Sequence, residues 1–399
     1  MGWYVTLALH GIANFSRGVS TSEPSSVVRL RSEPNPKEWM TTDFVIVRSR
    51  EELQHAVDAR LNGVMIIGDD CVESLQEIAE LPRLISVSGK FDYLSDGDII
   101  GFHPASKRFR TLYRRTSRHN SFLVTDRCNH YCLMCSQPPK DIDDRWILGE
   151  IKSALPLIDK NTRSLGFTGG EPLLDWCEFM DVLTICRGEL PHTAIHVLSN
   201  GRAFVRDEVV AAWAGIRHPN LTVGIPIYAA VDHIHDHVVQ ARGAFDETVL
   251  GVLKLKDKGQ RVEIRVVLHA LTAPRIVETC KWFARNLPFV DHVALMGLEN
   301  TGFAIANAEA LWIDPIDYQS QLATAVDLLV SAKLNVSVYN LQRCVLDQSV
   351  WPYAVQSISD WKSGYAEECD RCIEKDRCSG FFTSGRPRRS RGISPILAS

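Results

Sequence analysis

No stretch of this 399-residue chain approaches the ~18 uninterrupted apolar residues that would signal a membrane-spanning helix. A basic excess is also missing: 44 Lys and Arg stand against 48 Asp and Glu, which leaves no broad cationic footprint for nucleic acid. There is no internal repeat and no low-complexity tract. Residues Met1 to Ala13 are mildly apolar but lack a charged leading region and a clear cleavage site. They are expected to form an early strand rather than a secretion signal. Met1, Gly2 and Thr6 fit the loose myristoylation pattern, which matches too often by chance to carry weight. The expected setting is the cytoplasm, with neither nucleic acid nor membrane as a partner.

Cysteine is where the composition departs from the ordinary. There are eleven, an odd number, and without a secretion signal that argues against a disulfide framework. Seven are clustered, three between Cys128 and Cys135 and four between Cys344 and Cys378, as expected of metal ligands or reactive groups in a reducing compartment. The scattered Cys71, Cys177, Cys186 and Cys280 read as small buried apolar residues.

From about Phe122 the chain alternates short β-branched runs with helical patterns. Strands are predicted at 121–125, 164–168, 194–199, 221–227, 262–268 and 292–295, with a further one at 335–339. Helices are predicted at 245–258 and 276–286. Alternation of this kind implies a parallel sheet wound by right-handed crossovers. Spacing alone leaves a full barrel, a partial barrel and a doubly wound sheet open. The first 116 residues read as a small mixed or β-rich domain. It has a strand at 44–47, a helix at 51–61 and an Asp96-Gly97 hairpin turn before a strand at 98–102. The basic run 107–118 reads as a solvated linker.

The chemistry concentrates in two segments. Thr125-Asp-Arg-Cys128-Asn-His-Tyr-Cys132-Leu-Met-Cys135-Ser-Gln-Pro-Pro follows the first strand of the alternating region. Three thiolates this close can wrap one soft centre, either an iron–sulfur cluster or zinc. Three ligands on a four-iron cluster leave one iron open to a substrate or cofactor. Leu165-Gly-Phe-Thr168-Gly169-Gly170-Glu171-Pro172 ends the next strand. Its two glycines let the backbone approach a ligand, Glu171 offers a carboxylate to an ammonium group, and Pro172 suits the first turn of a helix. Both segments fall at the C-terminal ends of strands, where parallel α/β folds place their sites.

The C-x3-C-x2-C triplet, with Gly-Gly-Glu-Pro about 35 residues on, resembles the radical S-adenosylmethionine (SAM) superfamily over roughly residues 117–310. The resemblance implies an α/β fold, a partial (β/α)6 barrel, carrying a [4Fe–4S] cluster on Cys128, Cys132 and Cys135. SAM would be chelated to the open iron. Gly169, Gly170 and Glu171 would hold its ammonium group, and Ser199 and Asn200 would lie near its ribose. Val266 and Met296-Gly297-Leu298 would pack around adenine. Reductive cleavage of SAM would release a 5′-deoxyadenosyl radical that abstracts hydrogen from a substrate, with electrons from a donor such as ferredoxin or flavodoxin. One departure is Met134, where the superfamily usually has an aromatic residue.

Cys369-Asp-Arg-Cys372 and Cys378, with Cys344 upstream, form a second candidate site. Four thiolates make a closed site, suited to a second [4Fe–4S] cluster or to zinc. The spacing resembles the SPASM and twitch auxiliary-cluster regions of peptide-modifying radical SAM enzymes. Phe382 stands where a full SPASM pattern has a cysteine, so one auxiliary cluster is expected. The wording around Cys128–Cys135, Ser357-Ile-Ser-Asp-Trp-Lys362 and Gly380-Phe-Phe382 resembles the C-type maturase of the His-Xaa-Ser peptide system. That implies a small gene-encoded peptide as substrate. The alternatives are a radical SAM enzyme acting on a small molecule in cofactor or modified-base biosynthesis, and an inactive iron–sulfur or zinc scaffold.

The expected organisation is a small N-terminal domain at 1–116, a radical SAM core at 117–338, an auxiliary cluster region at 339–385 and a basic flexible tail at 386–399. The N-terminal domain is expected to serve substrate recognition, by taking a peptide as an added strand at a sheet edge. Arg386, Arg388, Arg389 and Arg391 read as a solvated tail. His233, His235 and His237 with Asp232 and Asp236 read as solvated or locally bonded groups on a short loop after the fourth strand. Tyr228 and Arg265 are candidate cavity residues without an assigned role.

Overall fold

The computed structural model describes residues 8–19, 26–32, 40–68, 81–384 and 388–398. Cys71 and Arg386 lie outside the described residues, as do residues 1–7 of the expected early strand.

The N-terminal part is an eight-stranded mixed sheet. Its strands are β1 (His10–Ile12), β2 (Phe15–Arg17), β3 (Ser26–Arg31), β4 (Asp43–Val47), β5 (Val64–Ile67), β6 (Leu84–Val87), β7 (Ile99–His103) and β8 (Arg108–Tyr113), in the order β1-β8-β7-β3-β4-β5-β6-β2. Helix α1 (Arg50–Asp58) crosses between β4 and β5, and Ser49 Oγ caps it by accepting the Glu52 N–H at 3.2 Å. β1 and β2 are neighbours in the chain yet stand at opposite ends of the sheet, one on β8 and one on β6. Ala13 and Asn14 between them donate to Lys107 and Ser86 carbonyls, each at 2.8 Å. The segment 10–17 therefore stitches the two ends together, and the sheet closes on an apolar interior that includes Leu30, Phe44, Met65, Phe91, Phe102 and Phe109.

Two sequence expectations are corrected here. Asp96-Gly97 does not join a hairpin. The preceding strand, β6, pairs with β5 and β2, and the Gly97 N–H bonds to Leu30 O at 2.8 Å. The hairpin lies one strand later, between β7 and β8, with Lys107 at φ 55° in its turn. The basic run 107–118 is not a solvated linker but contains β8, and its arginines tie regions together. Arg110 pairs with the buried Glu150, Arg114 with Asp360, and Arg115 with Asp96 and Asp159.

The second sheet is parallel throughout. Its strands are β9 (Ser121–Leu123), β10 (Ser164–Thr168), β11 (Ala194–Leu198), β12 (Leu221–Pro226), β13 (Arg261–Leu268), β14 (His292–Gly297), β15 (Val336–Tyr339) and β16 (Ala354–Val355), in sequential order. β9 and β16 do not pair, so this is an open, curled half-barrel, the partial-barrel fold expected from the sequence. The crossovers carry α2 (Trp146–Ala154), α3 (Trp176–Glu189), α4 (Asp207–Ile216), α5 (Asp232–Val239), α6 (Ala244–Asp257) and α7 (Ile276–Asn286). Short helices α8 (Phe303–Ala306) and α9 (Ala308–Leu311) precede α10 (Gln319–Ser331).

Strand alternation sorts the two faces of the sheet. Phe167, Val197, Val223, Ile264, Val266 and Leu295 are fully buried against the helix layer. The opposite, concave face is polar, with His196, Glu263, Arg265, His292 and Ser337. Val266 thus points away from the concave face, and its neighbour Arg265 points in.

Candidate functional site

Three loops meet at the C-terminal ends of β9, β10 and β11, and backbone hydrogen bonds lock them together. The Gly170 N–H donates to Thr125 O at 2.7 Å, and the Glu171 N–H to Arg127 O at 2.8 Å. Contact this close is possible only without side chains. A Cβ on Gly169 would overlap the Thr125 carbonyl, and one on Gly170 would overlap the Arg127 carbonyl; Gly169 also sits at φ 149°. The Gly-Gly pair is therefore spent on packing the second loop against the cysteine loop.

Glu171 is 2% exposed and its carboxylate is already engaged. Oε1 accepts from the Leu173 N–H at 3.0 Å and the Ser199 hydroxyl at 2.8 Å, and Oε2 from the Asn200 N–H at 2.7 Å. Burial raises its pKa, and these three donors oppose that rise. The sequence reading gave Glu171 a free carboxylate for an ammonium group; here it braces the third loop. Asn200 in turn donates from Nδ2 to Asn129 Oδ1 at 2.6 Å, which returns the chain of bonds to the cysteine loop. Ser199 and Asn200 thus follow the end of β11 beside the cysteine loop and hold structural bonds there.

Cys128, Cys132 and Cys135 stand on one loop, all partly buried and none in a disulfide. Burial pushes the Cys128 thiol up to about 12 and raises Cys132 and Cys135 as well. A bound metal would release these protons. The loop is held from two sides. Tyr131 and Leu133 N–H groups donate to Val239 and Val238 carbonyls at the end of α5, at 3.2 and 2.9 Å. On the other side, the Phe303 N–H donates to Cys135 O at 2.8 Å and Asn307 Nδ2 to Leu133 O at 2.8 Å. Met134 is 7% exposed and packs in the core.

Sequence reasoning missed the anchor beneath this loop. Asp144, 1% exposed, accepts from Thr125 Oγ1 at 2.9 Å, the Asp126 N–H at 2.5 Å and Arg127 Nε at 2.9 Å. Arg127 also reaches Asp175 at the start of α3. The only local signal was an acidic pair just ahead of a helix, and that does not name its partner. A second network lines the concave face. Glu263 accepts from Arg265 at 2.8 Å and bonds His292 Nδ1 at 2.7 Å, with His196 Nε2 at 3.4 Å; His292 Nε2 reaches Ser337 Oγ at 2.9 Å. Arg265 places its other terminal nitrogen 3.0 Å from Met296 Sδ.

The His233–His237 run is helix α5, not a loop, so its alternating residues diverge around the axis. His235 is buried and takes the Tyr228 N–H on Nδ1 at 3.2 Å, while Asp236 accepts the Gly243 and Phe245 N–H groups. These are local structural bonds. Of the scattered cysteines, Cys186 and Cys280 are buried as expected, but Cys177, in the first turn of α3, is exposed.

The four cysteines of the second group line one pocket. Cys344, Cys369, Cys372 and Cys378 line it with Arg343, Tyr365, Ser394 and Ile396. Among the described residues, no three or more His, Cys, Asp or Glu side chains converge closely enough to hold a single metal ion. The tail that was expected to be flexible folds over this pocket from 388 to 398. Arg391 pairs with Asp314 and Asp317, and Arg388 lies 4.6 Å over the Trp312 ring. No helix among the described residues is long and apolar enough to cross a membrane.

Comparison with known proteins adds the following. Residues 122–283 match the family model of the radical SAM superfamily. No curated protein matches the chain. Among solved structures, SuiB of Streptococcus suis bound to S-adenosylmethionine aligns at TM-score 0.44 and 15% identity, over 55% of this chain and 49% of that one. A radical SAM methyltransferase from Sphaerobacter thermophilus aligns at TM-score 0.44 and 15% identity, over 62% and 74%. AdoMet-bound anSMEcpe aligns at 0.42 and 18%, over 55% and 62%. This chain thus spans about half the length of SuiB, and likenesses at these scores assign neither substrate nor activity. The family match begins in β9, takes in the three-cysteine loop and the Gly-Gly-Glu segment, and ends in α7, so residues 122–283 are a radical SAM superfamily domain.

Proposed function

We propose that this chain is a radical SAM enzyme that acts on a small gene-encoded peptide, in the manner expected of a His-Xaa-Ser maturase. The observation that carries the first part is the bonding of three strand ends into one cradle. Cys128, Cys132 and Cys135 lie on the first, Gly169 and Gly170 close on it without side chains, and Glu171 fixes Ser199 and Asn200 beside it. When bound, a [4Fe–4S] cluster with SAM supplies one-electron cleavage to a 5′-deoxyadenosyl radical.

The chain's own residues hold and orient these groups. The three thiolates would ligate three irons. Peptide groups of the Gly-Gly segment and Asn200 would border the SAM amino acid and ribose, and Glu171 would act through them by holding the loop. The concave face, with Arg265 and His196 partly exposed, would receive the substrate. Cys344, Cys369, Cys372 and Cys378 would hold an auxiliary cluster, or zinc as the other outcome. The peptide substrate rests on that fourfold cysteine group and on the resemblance around Ser357–Lys362 and Gly380–Phe382. The electron donor would be a ferredoxin or flavodoxin, in a cytoplasmic setting.

The test is anaerobic reconstitution with iron and sulfide, then SAM and dithionite. About eight irons per chain with 5′-deoxyadenosine formed is the expected result. About four irons with one zinc would make the second site structural. A fully loaded chain that makes no deoxyadenosine, alone or with the neighbouring short peptide, would leave a metal-binding scaffold.

A further inference from the structure

We infer that residues 388–398 form a lid on the second cysteine pocket, and that metal loading and lid docking stabilise each other. This rests on Cys344, Cys369, Cys372 and Cys378 being a ligand set. The lid contributes wall and donor alike. Ser394 and Ile396 line the pocket beside the four cysteines. The Ile396 N–H donates to Cys372 Sγ at 3.4 Å, and the Ile373 N–H returns to Ile396 O at 2.9 Å. One candidate ligand sulfur, Cys372, therefore takes a backbone donor from the tail.

The lid is latched at a distance from the pocket. Ser390, 7% exposed, donates to Asp314, and Arg391 bonds Asp314 through its N–H at 3.0 Å and Asp317 through its guanidinium at 3.0 Å. Arg388 stacks on Trp312 and Arg389 lies 5.1 Å over Phe381. An exposed ion pair such as Arg391–Asp317 is weak alone, but Ser390 and the Asp314 carboxylate are shielded, so the latch holds as a group.

Charge supplies the coupling. Four thiolates around either Zn²⁺ or a [4Fe–4S]²⁺ core leave a net charge of about −2 in a shielded pocket. The Ile396 amide on Cys372 stabilises that charge, and Arg343, 6% exposed at the pocket wall and paired with Glu374, keeps its Nε–H unpartnered. Groups behind the ligands tune metal affinity about 10–100-fold. By linkage, whatever docking adds to metal affinity, metal adds to docking.

The experiment uses the full chain carrying Cys128→Ala, Cys132→Ala and Cys135→Ala, so that all retained metal belongs to the second site. It is loaded with zinc alone, or anaerobically with iron and sulfide. Metal release to a chelator is timed, and amide exchange across 388–398 is followed with and without metal. Ser390→Ala with Arg391→Ala opens the latch, and Ile396→Pro removes one sulfur donor. Release about 10-fold faster in both variants, and exchange slowed by metal only in the latched chain, is expected. Equal release rates from loaded variants and parent would overturn the lid while leaving the ligand set intact. A parent that retains no metal would overturn both.

Discussion

The two cysteine groups solve different problems with the same side chain. The first offers three thiols on one loop, at the mouth of a half-barrel whose concave face carries histidine, arginine and glutamate. The second gathers four thiols from segments 25 residues apart in the chain into a pocket that the tail covers. A missing fourth thiol and an open face leave room for a ligand to bind and react. A fourth thiol and a covering tail would leave room only for a metal that the four thiols hold, if the second site is loaded as proposed. The rigidity is also spent differently. Around the first group it goes into fixing loops to each other through glycine contacts and the Glu171 and Asp144 carboxylates. Around the second it goes into latching the tail.

Removing thiols tests this contrast most severely. Cys128→Ala with Cys132→Ala and Cys135→Ala is expected to abolish deoxyadenosine formation and to lower bound iron by about four per chain. The helical circular dichroism should stay unchanged, because the loop is anchored by its backbone. Cys369→Ala with Cys372→Ala should remove the metal of the second site and still leave measurable SAM cleavage. If the second pair abolished cleavage as completely as the first, the division into a reactive and a closed site would fail.

Glu171→Ala comes next. It strands the Leu173 and Asn200 N–H groups and the Ser199 hydroxyl in a buried setting. A cost of about 2–4 kcal/mol in urea unfolding is expected. SAM binding should weaken as well, since the third loop loses its brace. A variant of unchanged stability but weakened SAM binding would restore Glu171 to direct ligand contact.

How much of this was legible follows from the range of the interactions. Cys128 to Cys135 and Gly169 to Glu171 could be read because each motif is contiguous and its residue types have few other uses in that order. The parallel sheet could be read because each strand announces itself by a β-branched run and each crossover by a helical period. What escaped depends on distant partners. Nothing in Asp144 names Thr125 and Arg127, and nothing in 10–17 says that its halves pair with β8 and β6. The tail looked unattached because Arg, Ser and Pro are solvated by default; its partner Asp314 lies 77 residues away. The three donors on Glu171 escaped for the same reason: a carboxylate in a motif looks available until its partners are located.

The smallest effect separates the concave face from the rest of the molecule. Burial alone would raise the pKa of Glu263. The nearby His196, the hydrogen bond with His292 and the charge of Arg265 outweigh it, and hold the carboxyl well below the ordinary range. A depressed carboxyl lends stability that is present above its unfolded value of about 4.3 and is lost as pH falls through its folded value. Glu263→Gln should therefore cost about 1–3 kcal/mol at neutral pH, and the difference from the parent should shrink as the pH is taken below about 4. Thermal unfolding at pH 7, 5 and 3.5 measures it. Because Arg265 would lose its carboxylate partner while the cysteine loop stayed in place, iron content should not change. An iron loss in this variant would mean that the concave face and the first cysteine site are one structural unit rather than a rigid cradle beside a separate receiving surface.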